Sequence, residues 1–251
     1  MRAVRFLISG GIIAAAGAAA LAAEQAHHWT YEGKEGPSHW AEIDPHNAAC
    51  AGKNQSPIDI ETRDVQAAPL PPLKFDYRPT PLHIIDNGHT IQVNYQPGSS
   101  LTVGGKRYEL IQFHFHRPSE EVIDGKRFAM VAHLVHRDAQ GHLAVVAVPL
   151  SQGRENALVE SLWKNLPTVK EKELTRAAVK INAAKLLPAS LGYYAYTGSL
   201  TTPPCSEGVS WMVLKTPSPV SAHEVKIFAA HYPNDARPVQ PRNGRRVLSS
   251  K

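Results

Sequence analysis

The chain has 251 residues, 43% of them hydrophobic and 20% charged, which is enough apolar material for a full core and too much for a disordered tail. Its 27 Lys and Arg against 22 Asp and Glu give a formal charge of +5. Two of those cations, Arg2 and Arg5, sit in an apolar leader and the others form no long run, so neither nucleic acid nor an anionic membrane is an expected partner.

Arg2 and Arg5 precede the apolar run Phe6 to Ala20 and then small residues through Ala23, the three-part pattern of a secretory signal. Residues 1–23 are therefore assigned to a signal peptide, cut somewhere between Ala20 and Ala26, and residues 24–251 to a single domain. A membrane anchor is the competing reading. The run is mostly Ala and Gly, carries Ser9 and is followed by no stop-transfer charges, so no stable anchor is expected. Export implies an oxidising compartment. There the two cysteines, Cys50 and Cys205, read as one disulfide closing a long loop, the alternative being two unrelated thiols.

Past the leader, short segments rich in branched and aromatic residues predict strands at Leu82 to Ile85, Thr90 to Tyr95, Leu110 to Phe115, Phe128 to Val135, Leu143 to Leu150 and Gly208 to Leu214. Asn87-Gly88, Gly104-Gly105, Asp124-Gly125 and Gly141 supply the tight turns between them. Helices are few. Asn156 to Leu166 places Leu158, Val159, Leu162, Trp163 and Leu166 along one face, and Ser221 with Glu224 forms a capping-box pattern before Val225, Ile227 and Phe228. The expected fold is mainly β (α+β): one domain with a large, twisted, mostly antiparallel central sheet and peripheral helices.

The chemistry starts at Gln112-Phe113-His114-Phe115-His116. Period two in a strand puts both histidines on one face and both phenylalanines on the other. Two imidazoles at this spacing can bind one zinc, yet alone they are weak evidence. The segment from Phe128 to His136 is placed to return antiparallel beside the first, with His133 and Val135 on one face and His136 on the other. His114, His116 and His133 together make a three-nitrogen zinc site with an open fourth position, which is the arrangement of a catalytic centre.

At these residues the sequence resembles the α-class carbonic anhydrases of the exported bacterial type. The resemblance is carried by Gly36-Pro37-Ser38-His39-Trp40, Gln55-Ser56-Pro57-Ile58-Asp59, Asn87-Gly88-His89, FHFHRPSEE from Phe113 to Glu121, AHLVH from Ala132 to His136, GSLTTPPC from Gly198 to Cys205, and RPVQPRNGR from Arg237 to Arg245. It spans about residues 27 to 248. It implies a zinc lyase for the reversible hydration of carbon dioxide to bicarbonate and a proton, with the metal at the base of a conical cleft and its charge making hydroxide from water. Zn2+ would be held by His114, His116 and His133. Thr201 would donate its hydroxyl proton to Glu120, which can only accept, and His89 would shuttle protons to buffer. The substrate-binding residues would be Val135, Val145, Leu200, Thr202 and Trp211, the apolar four forming walls for carbon dioxide. Thr202 would also join Tyr31, Asn87 and Gln92 in a polar wall that orders water. The same resemblance implies a Cys50–Cys205 disulfide, a small-molecule substrate, a periplasmic or secreted location, a monomer or homodimer, and ester hydrolysis as a side activity.

The chain departs from the family pattern near the third histidine. Many members carry Glu two residues before it, where a carboxylate orients that ligand; Val131 stands here. The residue after Glu120, commonly His, is Glu121. We expect Glu121 to supply the carboxylate that Val131 cannot, and Gln112 to serve as amide acceptor for His114. The alternative function is a catalytically silent binding module of the same fold, which should lack a ligand histidine or the Thr201–Glu120 pair. A secreted metallohydrolase would need a motif such as His-Glu-x-x-His, and none is present.

Overall fold

A computed structural model describes residues 28–251. The signal-peptide assignment and its cleavage region lie outside the described residues. Among these, no helix is long and apolar enough to cross a membrane.

The central element is a sheet of thirteen described strands. Eight of them are β1 (Thr80–Asp86), β2 (Ile91–Asn94), β3 (Lys106–His116), β4 (Met130–Arg137), β5 (Leu143–Gln152), β6 (Leu174–Ile181), β7 (Tyr193–Ser199) and β8 (Glu207–Leu214). They lie in the order β6-β1-β2-β3-β4-β5-β8-β7, and the short strands Leu248–Ser249 and Gln66–Ala67 extend the far edge. Pairing is antiparallel except where β5 meets β8 and Ser218–Val220, and where the last two short strands meet. The sheet is thus mixed, with antiparallel neighbours dominant through the region that carries the histidines.

Alternation along the strands divides the interior in two. Phe113, Phe115, Ala132, Leu134, Val146 and Val148 point to one core, which packs under helices α1 (Ala157–Trp163) and α2 (Ala222–His231) through Leu158, Leu162 and Phe228. Val131, Val135, Val145, Ala147 and Trp211 point to the opposite core. Each strand therefore presents one set of side chains to the helices and the other to the face that carries the site.

The helix signals are realised locally. Asn156 caps α1 by accepting from the N–H groups of Leu158 and Val159, and Ser221 with Glu224 forms a reciprocal capping box at α2. Helix α1 stops at Trp163, short of Leu166, because Lys164 closes it just before Pro167. The predicted Asp124-Gly125 hairpin joins the two-residue strands Val122–Ile123 and Lys126–Arg127 in a separate three-stranded sheet. Both turn residues have positive φ, 50° and 74°, the backbone that this dipeptide tolerates.

Candidate metal centre

Strands β3 and β4 run antiparallel with His133 directly opposite His114 and Val131 opposite His116. The register brings three imidazoles onto one face, where one nitrogen from each lies within 4.8 Å of the others. His114 lies at the cavity wall, whereas His116 and His133 are each 1% exposed.

Hydrogen bonds fix which nitrogen each ring presents. The N–H of His114 Nδ1 donates to Gln112 Oε1 at 2.8 Å, that of His116 Nδ1 to the Asp235 carbonyl at 2.7 Å, and that of His133 Nε2 to Glu121 Oε1 at 2.8 Å. The free lone pairs are then Nε2 of His114, Nε2 of His116 and Nδ1 of His133. Nε2 of His116 is buried with no hydrogen-bond partner among the described residues, a costly state for a polar atom unless something else satisfies it. Burial, reinforced by the charges of His116 and His133, holds the His114 imidazole well below its ordinary pKa and so in the neutral form that binds metal. Three imidazoles whose inner nitrogens converge within 4.8 Å and whose outer nitrogens are anchored fit a three-histidine zinc site of the catalytic type.

The expected carboxylate substitution is visible. Val131 packs in the apolar cluster, and Glu121, 1% exposed, reaches His133 in its place. Burial pushes the Glu121 carboxyl up, but its charge interaction and hydrogen bond with His133 outweigh that and bring it below its ordinary pKa.

Behind the histidines, Glu120 is fully buried. Its Oε1 accepts the backbone N–H of Arg237 at 2.8 Å. Its Oε2 is 3.7 Å from His116 Nε2 and 4.0 Å from His133 Nδ1, without a hydrogen-bond partner among the described residues. Thr201 lines the cavity in front of this pair but does not contact that oxygen at hydrogen-bonding distance.

The Thr201 loop is clamped from several sides. The Cys50–Cys205 disulfide is formed. Ser56 and Ser199 exchange hydrogen bonds from each other's backbone N–H to their hydroxyls, at 2.9 and 3.1 Å, and Trp211 Nε1 donates to the Ser199 carbonyl at 3.0 Å. Gly198 allows this closeness, since a Cβ there would lie 2.0 Å from Ser56 Oγ. The buried guanidinium of Arg237 donates to Gln55 Oε1 and to the carbonyls of Ser56 and Cys50, joining the disulfide loop to the segment that holds Glu120.

A cavity of about 220 Å³ opens over the three histidines. Val135, Val145, Leu200 and Trp211, which belong to one apolar cluster, line it, as do Tyr31, Asn87, Gln92, Thr202 and His89. Every residue expected in the pocket therefore faces it. His89 stacks on Trp29 with ring centroids 3.6 Å apart and planes 8° from parallel, near His28. Burial and the His28 charge lower its pKa, with Glu171 and Asp86 pulling the other way. Trp29, Thr90, Asp235 and Arg237 were not foreseen as site residues. Only the RPVQPRNGR resemblance touched Arg237, and nothing local in sequence marks a backbone carbonyl such as that of Asp235 as a partner for His116.

The sequence profile of the family described as eukaryotic-type carbonic anhydrase matches residues 35–251. A carbonic anhydrase of Nostoc sp. is 43% identical over 227 residues, covering 89% of this chain and 86% of that protein. The solved α-carbonic anhydrase of Thermovibrio ammonificans, in complex with the inhibitor sulfanilamide, is 42% identical with a TM-score of 0.85, covering 88% of this chain and 98% of that one. A hyperthermostable carbonic anhydrase from an active hydrothermal vent chimney is 44% identical with a TM-score of 0.86, covering 89% and 100%.

Proposed function

This chain belongs to the eukaryotic-type, or α-class, carbonic anhydrase family and is a zinc enzyme of reversible carbon dioxide hydration, and from that premise we propose which of its residues carry the reaction. His114 and His116 hold zinc through Nε2 and His133 through Nδ1. The observation that carries this assignment is the convergence of three ring nitrogens whose opposite nitrogens are all committed to Gln112, Asp235 and Glu121. When bound, zinc supplies the positive charge that makes hydroxide from water near neutral pH, a behaviour for which carbonic anhydrases are themselves the standard example.

The protein's own groups do the rest. Glu120 Oε2 is a buried oxygen with no hydrogen-bond partner among the described residues, and Thr201 does not reach it at hydrogen-bonding distance in this structure. For the reaction the Thr201 hydroxyl would donate to that oxygen, which would leave Thr201 with lone pairs only. It then accepts a hydrogen bond from the attacking oxygen and turns that oxygen's remaining lone pair toward the carbon. Carbon dioxide has no net dipole, so the wall of Val135, Val145, Leu200 and Trp211 admits it without competing for that lone pair. Thr202, Gln92, Asn87 and Tyr31, which line the same cavity, order water there. His89, at the cavity wall beside Trp29, accepts the proton released in each cycle and passes it to buffer.

The disulfide supports a working place in the periplasm or outside the cell, reached after removal of residues 1–23, with the protein acting there as a monomer or homodimer. The apolar wall and the small cavity favour carbon dioxide, with ester hydrolysis a side activity. Titration of chelator-stripped protein tests the ligand assignment. One zinc bound per chain in the unmodified protein, and none retained by His116→Ala, is the expected result; unchanged binding by that variant would remove His116 from the ligand set.

A further inference from the structure

The turn that presents His89 is held in part by Asp86 and Tyr232, which the reaction scheme does not use. Asp86, 4% exposed at the end of β1, accepts the Gly88 N–H through Oδ1 at 3.0 Å and the Glu171 N–H through its backbone carbonyl at 2.6 Å. The same Oδ1 accepts the hydroxyl of Tyr232, which is 7% exposed and sits at the C-terminal cap of α2. On the other side of the turn, Asn87 Oδ1 accepts the N–H groups of His89 and Thr90, and the Thr90 hydroxyl donates to the carbonyl of Phe115, between His114 and His116. Gly88 itself has φ +86°, so the turn adopts a backbone that a side chain at that position would strain.

Tyr232 opens a six-residue stretch with three separate jobs. Tyr232 holds Asp86, the Asp235 carbonyl holds His116, and the Arg237 N–H holds Glu120. We propose that the Tyr232–Asp86 hydrogen bond is a positioning device that sets the proton-shuttle turn of His89 in register with the metal centre, so that one segment, Tyr232 to Arg237, aligns proton export with carbon dioxide hydration. This rests on the reading of His89 as the shuttle.

The geometry explains why a hydroxyl is needed. Phe at position 232 would keep the ring packed beside Phe228 and under the Lys170 ammonium, yet would release Asp86 and with it the Gly88 end of the turn. Proton transfer is steep in distance and orientation, so a shift of the turn by a fraction of an ångström slows export without touching the histidine triad. Because the proton leaves after the substrate is converted, the defect belongs in kcat and not in kcat/KM.

The test is stopped-flow carbon dioxide hydration by the zinc-loaded, full enzyme as a function of buffer. In a bulky, poorly penetrating buffer, Tyr232→Phe should lose roughly 10-fold in kcat, toward the level of His89→Ala, with kcat/KM held within about twofold. A small imidazole buffer, which takes the proton directly, should restore both variants. Asp86→Ala should reproduce the loss, whereas Asp86→Asn, whose amide oxygen still accepts from Gly88 and Tyr232, should keep most of kcat. Unchanged kcat in Tyr232→Phe beside a lowered kcat in His89→Ala overturns the positioning role alone. Unchanged kcat in His89→Ala overturns the shuttle reading and this proposal with it. Equal loss of kcat and kcat/KM in Tyr232→Phe that imidazole does not restore also overturns it, by showing general damage to the site.

Discussion

His133 donates its Nε2 proton to Glu121 Oε1 at 2.8 Å, between two side chains that are each no more than 2% exposed. The bond leaves Nδ1 as the only nitrogen of His133 that can meet a metal, and it comes from Glu121 where Val131 on the same strand offers no polar atom. A carboxylate acceptor also makes the imidazole a stronger donor to zinc.

Removing this acceptor should therefore weaken the metal before it weakens the fold. Glu121→Gln retains an oxygen but loses the charge, and should lower zinc affinity by roughly 10-fold; Glu121→Ala should approach 100-fold. Competition against a chelator of known affinity measures both. Unmodified affinity and turnover in Glu121→Gln would show that His133 does not depend on this carboxylate.

Thr201 and Glu120 should act as one unit. Thr201→Val keeps the shape of the loop while deleting the hydroxyl, and should cut kcat/KM by roughly 100-fold with zinc content unchanged. Combining it with Glu120→Gln should add little more, because each change breaks the same relay. Fully additive losses would separate the two residues.

The Cys50–Cys205 bond closes a separation of 155 residues, for which loop entropy allows stabilisation of up to about 5 kcal/mol. Reduction should lower Tm first and activity second, since the Thr201 loop is also held by Ser56 and Trp211 at Ser199 and by Gln55 at the Cys205 carbonyl. Equal Tm for oxidised and reduced protein would contradict this, as would free thiols in protein purified from an oxidising compartment.

His136 should make the fold acid-sensitive independently of the metal. It is fully buried, takes the Tyr77 hydroxyl on Nε2 at 2.7 Å and faces the Ala144 carbonyl through Nδ1 at 3.3 Å. Burial lowers its pKa from 6.5 to about 4. The unfolded chain therefore binds a proton that the folded chain refuses. This contribution to stability is complete above pH 6.5 and falls through the window down to about pH 4, by an amount on the order of 3 kcal/mol. Denaturant midpoints of zinc-free protein at pH 7.5, 6 and 5 should fall more steeply for the unmodified chain than for His136→Gln. Equal slopes would remove His136 as the cause.

What could be read from the sequence was what strand alternation encodes. His114 and His116 opposite Phe113 and Phe115, and His133 with Val135, fell on the expected faces because period two leaves no alternative once the strand is located. Strand β6 was missed because most of its side chains are exposed at the sheet edge, so it shows no apolar alternation. Helix α2 was announced by its capping box, whereas Tyr232 at its end gave no sign of its bond to Asp86, 146 residues away in sequence. Partners of that kind are set by how the segments pack, which no local pattern records.

Whether the three histidines make this chain a zinc-dependent carbon dioxide hydratase is decided by stopped-flow hydration with the purified mature protein, with zinc measured on the same sample and His133→Ala as control. Rapid hydration with about one zinc per chain, set by the three-imidazole site, is expected, with both lost in the control. A folded protein that stays inactive after zinc is supplied would contradict it.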